Sequence, residues 1–259
     1  MPDSDLPKKA LGQHWLNDDA SLAAICQAAS VQAGDVVLEV GPGQGTLTDE
    51  LLERGAKVTG LELDQALVKK LKDKYQGQVN IQEGDIRTYD FGALPDGYKI
   101  VANIPYYLTS FLLRLLTEPQ THKPQVAALL VQKEVAERVA AGPGDMSVIA
   151  VAAQFYYQVE LGQVVPAELF TPPPKVDSQI LILDKRPKPL FAVDIKQFFR
   201  LAKAGFSQKR KTLENSLSAG LRISKPEARQ LLENANIAPT TRPQNLKLED
   251  WHKLYRLVS

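Results

Sequence analysis

The sequence predicts an α/β protein with a doubly wound, mostly parallel sheet, followed by a smaller, all-helical C-terminal domain. Short apolar, β-branched runs alternate with helical segments through the first half of the chain. A glycine-rich turn joins the first such run to the helix after it. A stretch rich in proline and basic residues, 184–189, precedes a region whose pattern is helical only. We therefore expect two domains, residues 1–185 and residues 190–259.

The elements of the first domain follow one another in a regular order. They are strand 36–40, helix 46–54, strand 57–63, helix 65–74, strands 79–82 and 100–102, a helix from about 110 to 116, strand 126–131, helix 133–140, and strands 158–165 and 178–183. Strands that alternate with helices imply right-handed crossovers and hence a parallel sheet. The last two strands have no long helix between them, so we expect an antiparallel addition at one edge.

The second domain carries the basic charge. Residues 1–185 hold 16 Lys and Arg against 24 Asp and Glu, a balance of −8, whereas residues 186–259 hold 15 against 6, a balance of +9. This asymmetry favours a polyanionic partner such as nucleic acid, although a solvated helical surface is the alternative. A helix opening over 207–213 would turn Leu213 toward the core, and a capping box at 224–227 opens a helix to about residue 234. The candidate RNA-binding cations are Lys203, Lys209, Arg210 and Lys211.

Composition excludes several other classes of protein. The 259 residues contain no apolar run of the roughly 18 residues that a membrane helix needs, and the polar N-terminus lacks a signal-peptide core. The single cysteine, Cys26, excludes an internal disulfide and is expected to be a small buried hydrophobe in a helix. The three histidines show no metal-ligand spacing. We expect a soluble, cytoplasmic monomer that binds no metal ion.

The tetrapeptide Asn103-Ile104-Pro105-Tyr106 follows a short apolar strand and can hold the amino group of a planar base. The Asn103 amide oxygen and a main-chain carbonyl can both accept hydrogen bonds from an exocyclic –NH₂. Pro105 fixes its φ and adds no competing N–H, and Tyr106 offers a flat face for stacking. The same residues could form a simple X-Pro turn, so the decision depends on other elements. We take Asn103, Ile104, Pro105 and Tyr106 as candidate catalytic residues.

Three further elements stand at the ends of predicted strands. Gly41-Pro-Gly-Gln-Gly45 lets the backbone approach a ligand closely, with a G-x-G-x-G spacing that differs from that of dinucleotide enzymes. Glu62 ends the next strand, where a carboxylate can accept hydrogen bonds from both ribose hydroxyls. Asp85, after the third strand, can accept from an adenine amino group. Ligands of such sheets bind at the carboxyl ends of strands, so these elements together with Asn103 indicate S-adenosylmethionine.

Eight stretches of the chain match the motifs of a known family. They are Gly12–Leu16, Glu39–Thr48, Glu62–Asp64, Gly84–Asp85, Asn103–Tyr106, Gln132–Glu134, Phe170–Ser178 and Phe206–Leu213. Through them the chain resembles the KsgA-type dimethyladenosine transferases of small-subunit ribosomal RNA, which belong to the ribosomal RNA adenine N6-methyltransferase family, over nearly its whole length. The resemblance implies a Rossmann-like, S-adenosylmethionine-dependent methyltransferase domain. It also implies dimethylation of N6 of two adjacent adenosines in the 3′-terminal hairpin of 16S ribosomal RNA, within a small-subunit precursor, during ribosome biogenesis.

The resemblance assigns residues to the cofactor end of the site. It places His14 and Leu16 at the methionine end of S-adenosylmethionine, beside Gly41, Glu62 and Asp85. This chain has His14 and Trp15 where the family pattern usually has Asn and Phe. A histidine can still donate or accept one hydrogen bond there.

The resemblance also assigns residues to the base end of the site. It implies that Phe170 and Tyr106 sandwich the target base. The segment Thr171–Pro174 would otherwise be a stiff crossover into the last strand, and both roles can hold together. Lys175 then lies near the RNA backbone, where a phosphate contact is plausible.

Two other functions remain open at this point. An Erm-type dimethylase of 23S ribosomal RNA shares the fold, but members of that group tend to be basic throughout, whereas residues 1–185 are acidic here. A non-catalytic small-subunit assembly factor would not need the intact glycine loop, Glu62, Asp85 and Asn103.

Overall fold

The computed structural model describes residues 12–208 and 210–258, which divide into two compact units. The first unit comprises the described residues up to Ala136 together with Gln158–Lys185. The second comprises Glu137–Tyr157 and the described residues from Arg186 onward. The sequence-based boundaries differ from this division in one segment, because they place 137–157 in the first domain.

The first unit has nine described strands, of which seven form one sheet between helices and two form a separate ribbon. Its strands are β1 (Trp15–Leu16), β2 (Val36–Val40), β3 (Lys57–Glu62), β4 (Asn80–Glu83), β5 (Lys99–Asn103), β6 (Val126–Gln132), β7 (Tyr157–Val165), β8 (Phe170–Thr171) and β9 (Ser178–Lys185). Its helices are α1 (Asp19–Ala28), α2 (Thr46–Glu53), α3 (Gln65–Tyr75) and α4 (Tyr106–Leu116), and α5 (Lys133–Ala140) begins in this unit. Strands that alternate with helices in this way confirm the predicted α/β fold class.

The order of the strands in the sheet is β4-β3-β2-β5-β6-β9-β7. Strands β2 to β6 pair with one another in parallel, whereas β9 runs antiparallel to β6. The two late strands therefore join one edge, as the missing helix between them predicts. The chain leaves β2 toward β3 on one side and returns to β5 on the other, which opens a crevice at the carboxyl ends of these strands.

A cluster of buried side chains joins α1, α2 and α3 to one face of the sheet. Alternate strand residues enter it, because successive side chains of a strand face opposite sides. The strands contribute Val37, Val58, Ile81, Val101, Ala128, Leu130 and Ile180, and the helices contribute Leu22, Ile25, Cys26, Leu47, Leu51, Val68, Leu71 and Tyr75. Burial raises the pKa of the Cys26 thiol to about 12, so this residue is the inert buried hydrophobe that the sequence predicts.

The described part of the second unit is helical. Its helices are α6 (Val148–Tyr156), α7 (Ile195–Gly205), α8 (Leu213–Leu221), α9 (Lys225–Asn234) and α10 (Leu248–Val258). The ring of Phe155 on α6 packs on those of Phe191, Phe198 and Phe199, with centroids 5.1 to 6.5 Å apart. This aromatic packing is the physical reason why segment 137–157 groups with the C-terminal helices. The predicted capping box opens α9, with reciprocal hydrogen bonds between Ser224 and Glu227.

Three helical expectations differ from the structure. The expected helix over 207–213 is wrong, because α7 ends at Gly205 and α8 begins only at Leu213, with Thr212 in an extended conformation before it. Leu213 is nevertheless fully buried, as expected. Helix α4 begins at Tyr106, four residues earlier than expected, with Pro105 as its cap. Helix α6 has no counterpart in the sequence prediction, because a continuous apolar run fits a buried strand and a buried helix equally well.

Candidate active site

One cleft, open to solvent, lies at the carboxyl ends of β2, β3, β4 and β5. It gathers all the candidate catalytic and cofactor-binding residues of the sequence analysis. They are His14, Leu16, Gly41, Glu62, Asp85, Asn103, Ile104, Pro105, Tyr106 and Phe170. Residues far apart in sequence meet there because parallel strands bring their carboxyl ends to the same edge of the sheet.

The glycine loop between β2 and α2 forms one wall of the cleft. Its three glycines have positive φ angles of 71°, 60° and 82°. Their N–H groups donate to protein acceptors: Gly41 to the Leu61 carbonyl at 2.9 Å, Gly43 to Glu62 Oε2 at 3.1 Å, and Gly45 to the Pro42 carbonyl at 2.8 Å. A Cβ at position 45 would collide with the Tyr75 hydroxyl. The loop therefore needs glycine there for space as well as for backbone conformation.

Glu62 is held in a fixed orientation at the end of β3. Its Oε1 accepts from the N–H groups of Leu63 and Asp64, both at 2.9 Å, and its Oε2 accepts from Gly43. Burial raises the pKa of the carboxyl, and the three N–H donors oppose that rise. Two donors fill Oε1, whereas Oε2 accepts only one and keeps capacity for a ligand hydroxyl.

Asp85 also faces the cleft, but its carboxylate is engaged by a neighbour. Its Oδ1 accepts from the Arg87 N–H at 2.9 Å, and its Oδ2 accepts from Arg87 Nε at 2.8 Å. These hydrogen bonds hold the pKa of Asp85 below its usual range. A ligand amino group would share this carboxylate with Arg87, a partner that the sequence analysis did not foresee.

The amide of Asn103 has one orientation that its neighbours permit. Its Nδ2 lies 3.2 Å from the His14 carbonyl, which can only accept, so the –NH₂ group must point to it. The Oδ1 is then left as an acceptor, and no described residue donates to it. The backbone carbonyls of Ile104 and Pro105 differ in whether they are already hydrogen-bonded. Pro105 O accepts from the Leu108 N–H at 2.9 Å at the start of α4. Ile104 O receives no hydrogen bond from the described residues.

His14 and Tyr106 form an aromatic pair beside Asn103. Their ring centroids are 5.6 Å apart with an angle of 26° between the planes. His14 Nδ1 donates to the Pro172 carbonyl at 2.7 Å, because that carbonyl can only accept. The Tyr106 hydroxyl lies 2.9 Å from Ser178 Oγ, and burial raises its pKa. Both rings are thus held by contacts to the segment around β8.

A short antiparallel ribbon brings the N-terminal residues to the cleft. In it Trp15 pairs with Thr171 and Leu16 pairs with Phe170. Thr46 Oγ1 donates to the Leu16 carbonyl at 2.9 Å and ties the ribbon to the start of α2. Phe170 lines the cleft but is only 3% exposed, with its ring in the buried cluster under α1 to α3.

The predicted RNA contacts are exposed cations outside the cleft. Lys175 is exposed in the segment between β8 and β9 of the first unit. In the second unit, Lys203 is exposed on α7, and Arg210 and Lys211 are exposed in the loop before α8. Lys209 lies outside the described residues.

Four cleft residues or contacts escaped the sequence analysis. Glu39 is 1% exposed and accepts from Thr48 Oγ1 at 2.6 Å, and burial raises its pKa to about 8. Its sequence signal is a charged residue inside an apolar strand, which is rare unless the group has a role. Three contacts could not be predicted from the sequence, because tertiary structure determines which residues meet. They are Arg87 to Asp85, Ser178 to Tyr106 and Thr46 to Leu16.

Neither a metal centre nor a membrane span is found in the described residues. Within 12–208 and 210–258, no three His, Cys, Asp or Glu residues are grouped so that they could hold a metal ion. In the same part of the chain, no helix is long and apolar enough to cross a membrane.

The chain matches one family of known proteins from near its start to its end. The model of the family described as "Ribosomal RNA adenine dimethylase" matches residues 5–259. A curated relative from Dehalococcoides mccartyi, "Ribosomal RNA small subunit methyltransferase A", is 42% identical over 253 residues, which cover 95% of this chain and 87% of that protein. The protein of the same name from Synechocystis sp. is 38% identical over 275 residues, with 97% and 96% covered.

Two solved structures are similar to this chain along most of its length. The structure of a dimethyladenosine transferase from Plasmodium falciparum has a TM-score of 0.77 at 27% identity, covering 93% of this chain and 96% of that one. The structure of the 23S rRNA methyltransferase ErmE has a TM-score of 0.75 at 28% identity, covering 93% and 98%.

Proposed function

Because the chain belongs to the ribosomal RNA adenine dimethylase family, we propose that it dimethylates N6 of two adjacent adenosines in the 3′-terminal hairpin of 16S ribosomal RNA. The methyl donor is S-adenosylmethionine, and the substrate is the small ribosomal subunit or its precursor. The curated relatives at 38% and 42% identity carry the name of a small-subunit methyltransferase, which supports this choice of RNA. The observation that carries the proposal is the fixed Asn103 amide, whose free Oδ1 stands beside the glycine loop and Glu62 in one cleft.

The residues of the cleft fit S-adenosylmethionine. The positive-φ glycines let the backbone approach the ligand, and a side chain at position 43 would fill space beside Trp15 that the loop leaves open. Glu62, held by three N–H donors, accepts from the ribose through the remaining capacity of Oε2, and Asp85 can accept from the adenine amino group while it keeps its hydrogen bonds to Arg87. His14 and Leu16 stand at the methionine end. When bound, the cofactor supplies a methyl group on a positively charged sulfur, which is already a strong electrophile.

The protein must prepare the adenine nitrogen, which is a poor nucleophile because its lone pair is delocalised into the ring. Asn103 Oδ1 and the Ile104 carbonyl accept hydrogen bonds from the two amino hydrogens. These contacts favour a pyramidal nitrogen whose lone pair points to the methyl group. Holding the two reactants in line provides most of the rate, as in other reactions between bound partners. No strong general base is required, since the nitrogen becomes acidic once it is methylated and can lose its proton to water.

Stacking and phosphate contacts hold the rest of the substrate. Tyr106 offers one face of its ring to the target base, and Phe170 forms the second wall of the slot. The adenosine must leave its stack in the RNA to reach this slot. Lys175 contacts the RNA backbone near the slot.

The basic second domain, residues 190–259, docks the enzyme on folded RNA through Lys203, Lys209, Arg210 and Lys211. Contacts of this kind track phosphates and carry little sequence information. The enzyme acts as a monomer in the cytoplasm, where small subunits are assembled.

Transfer of labelled methyl groups to three substrates tests the proposal. The substrates are small subunits that lack the modification, naked 16S RNA and naked 23S RNA. We expect incorporation of up to four methyl groups per small subunit, and none in 23S RNA. Because the chain also resembles the structure of ErmE, methylation of 23S RNA instead would show that the enzyme is of the Erm type. Binding to small subunits without methyl transfer to any substrate would favour a non-catalytic assembly factor.

A further inference from the structure

Trp15 places a buried hydrogen-bond donor in the cleft. The side chain is 9% exposed and lines the cleft, and its Nε1 has no hydrogen-bond partner among the described residues. An indole Nε1–H can donate but cannot accept. A donor that is buried without an acceptor destabilises the folded state, so an acceptor supplied by a ligand would remove this cost.

The donor edge of the indole faces the glycine loop. A Cβ built on Gly43 would lie 3.5 Å from Trp15 Cδ1 and 3.6 Å from Nε1. The pairing of Trp15 with Thr171, together with the hydrogen bond from Thr46 to the neighbouring Leu16 carbonyl, fixes the backbone that carries the ring. The residue that carries the donor is therefore anchored beside the loop by its main chain.

The surroundings of this donor favour an anionic group. The N–H groups of Gly41, Gly43 and Gly45 already donate to protein acceptors, so the glycines offer no donor of their own. Helix α2 begins directly after Gly45 without a side-chain cap, and the N-terminus of a helix attracts negative charge. The indole N–H adds a side-chain donor to the N–H groups of the first turn of α2, which have no acceptor within the helix.

The chemistry of the donor selects which group of the cofactor comes here. An N–H donor beside the N-terminus of a helix favours a negatively charged acceptor. The α-carboxylate is the only anionic group of S-adenosylmethionine. We propose that Trp15 Nε1–H binds this α-carboxylate beside the start of α2, an inference that rests on the proposed use of S-adenosylmethionine.

The assignment is tested by measuring the affinity of two proteins, the wild type and Trp15→Phe, for each of two ligands. Trp15→Phe keeps an aromatic ring and removes the N–H, and decarboxylated S-adenosylmethionine keeps the ammonium and removes the carboxylate. By calorimetry, we expect Trp15→Phe to weaken S-adenosylmethionine about tenfold, as for a hydrogen bond to a charged group. The same substitution should change the affinity for the decarboxylated ligand by less than about twofold. Equal losses for both ligands, or no loss for either, would overturn the assignment.

A second measurement does not depend on the variant. The chain has two tryptophans, and Trp251 also has a buried Nε1 without a described partner, but it lies in the second unit and not in the cleft. In protein labelled with ¹⁵N-tryptophan, S-adenosylmethionine should shift the Trp15 indole N–H signal downfield, and the decarboxylated ligand should not. The Trp251 signal is the internal control. If the folded wild-type protein binds neither ligand, the proposed function fails; if it binds S-adenosylmethionine without this shift, only the role of Trp15 fails.

Discussion

Asn103 is tied to the His14 carbonyl through its Nδ2, which leaves its Oδ1 for the substrate. We therefore expect Asn103→Ala to lower turnover on the order of 100-fold, the usual cost of removing one oriented polar group from a reacting centre. RNA affinity, measured by filter binding, should change by less than about twofold, because the residue is proposed to contact the reacting nitrogen and not the RNA backbone.

Tyr106→Phe is the matched control for Asn103→Ala. It removes the hydroxyl contact to Ser178 but keeps the ring for stacking. Its turnover should stay within about threefold of the wild type, whereas Tyr106→Ala should be far slower, since base stacking contributes about 1–3 kcal/mol. If Asn103→Ala loses turnover and RNA affinity to the same extent, the asparagine is structural.

The buried carboxyl of Glu39 should make stability depend on pH. Its pKa is raised by burial from 4.5 to about 8, so between these values the folded chain holds a proton that the unfolded chain has lost. The free energy of unfolding must then fall as the pH rises through this range. We expect Glu39→Gln to be more stable than the wild type above pH 8, by on the order of 5 kcal/mol, and about equally stable near pH 4.5.

Urea unfolding of the two proteins at pH 5, 6.5 and 8.5 measures this difference. The free energy of unfolding of Glu39→Gln will still fall as the pH rises, but less steeply, because burial also raises the pKa of Glu62. Glu53→Gln on α2 is the control, since Glu53 is exposed and should not alter the slope. Parallel pH profiles for wild type and Glu39→Gln would show that Glu39 is ionised in the folded protein.

At the scale of elements, the glycine loop is held by contacts behind it. The Tyr75 hydroxyl lies 2.8 Å from both the Gly45 carbonyl and Asp49 Oδ1, so it cannot move aside for a new side chain. Gly45→Ala should therefore abolish measurable S-adenosylmethionine binding and lower the melting temperature. Gly77→Ala is the control, because Gly77 also has a positive φ, 90°, but has open space around it. Gly77→Ala should show only the strain of about 1–3 kcal/mol and bind the cofactor normally; equal loss of binding in both would point to backbone strain alone.

The sequence predicts the strands of the first unit better than the helices around them. Strands β2 and β3 are found within a residue of their expected bounds, because each is a compact apolar run closed by glycine or a charged residue. The bounds of α4 and the identity of α6 depended on tertiary context. The expected helix at 207–213 shows the limit of local propensity: its lysines and arginine favour a helix, yet the described residues 207, 208 and 210–212 lie between α7 and α8.

The candidate site could also be predicted only in part from the sequence. The glycine loop, Glu62, Asp85 and Asn103 could be placed together from sequence because parallel strands end at one edge. The orientation of Asn103 could not, because it is set by the carbonyl of residue 14, 89 positions away. The buried donor of Trp15 was equally hidden, since it depends on the ribbon between β1 and β8.

For the whole molecule, the separation of charge between residues 1–185 and 186–259 predicts how salt affects binding. Reversing Lys209, Arg210 and Lys211 to Glu should weaken binding to small subunits and flatten its dependence on salt, since fewer counterions are released. Affinity for S-adenosylmethionine should not change, because Arg210 and Lys211 do not line the cleft. Titrations of labelled small subunits across a salt series measure both effects.

The control for charge reversal makes the same change of net charge in the first unit. Lys57, Lys69 and Lys72 are exposed there, and their reversal to Glu should leave the salt dependence nearly unchanged. If both triple variants lose affinity equally, the effect is one of net charge and not of a docking surface. If the variant in the second unit methylates small subunits at the wild-type rate at every salt concentration, its cations form only a solvated surface.

The ribbon between β1 and β8 also has a consequence during translation. His14 bonds to Pro172, 158 positions later, and β9 lies between β6 and β7 although β7 is made before it. At roughly 5–20 residues per second, the N-terminal segment waits on the order of ten seconds for the partner that aligns Asn103. Strand β7 leaves the ribosome before the strand that will connect it to the sheet exists. We therefore expect a nascent chain that already carries the glycine loop and Asn103 to lack a finished cleft, and to be inactive until β8 has left the ribosome.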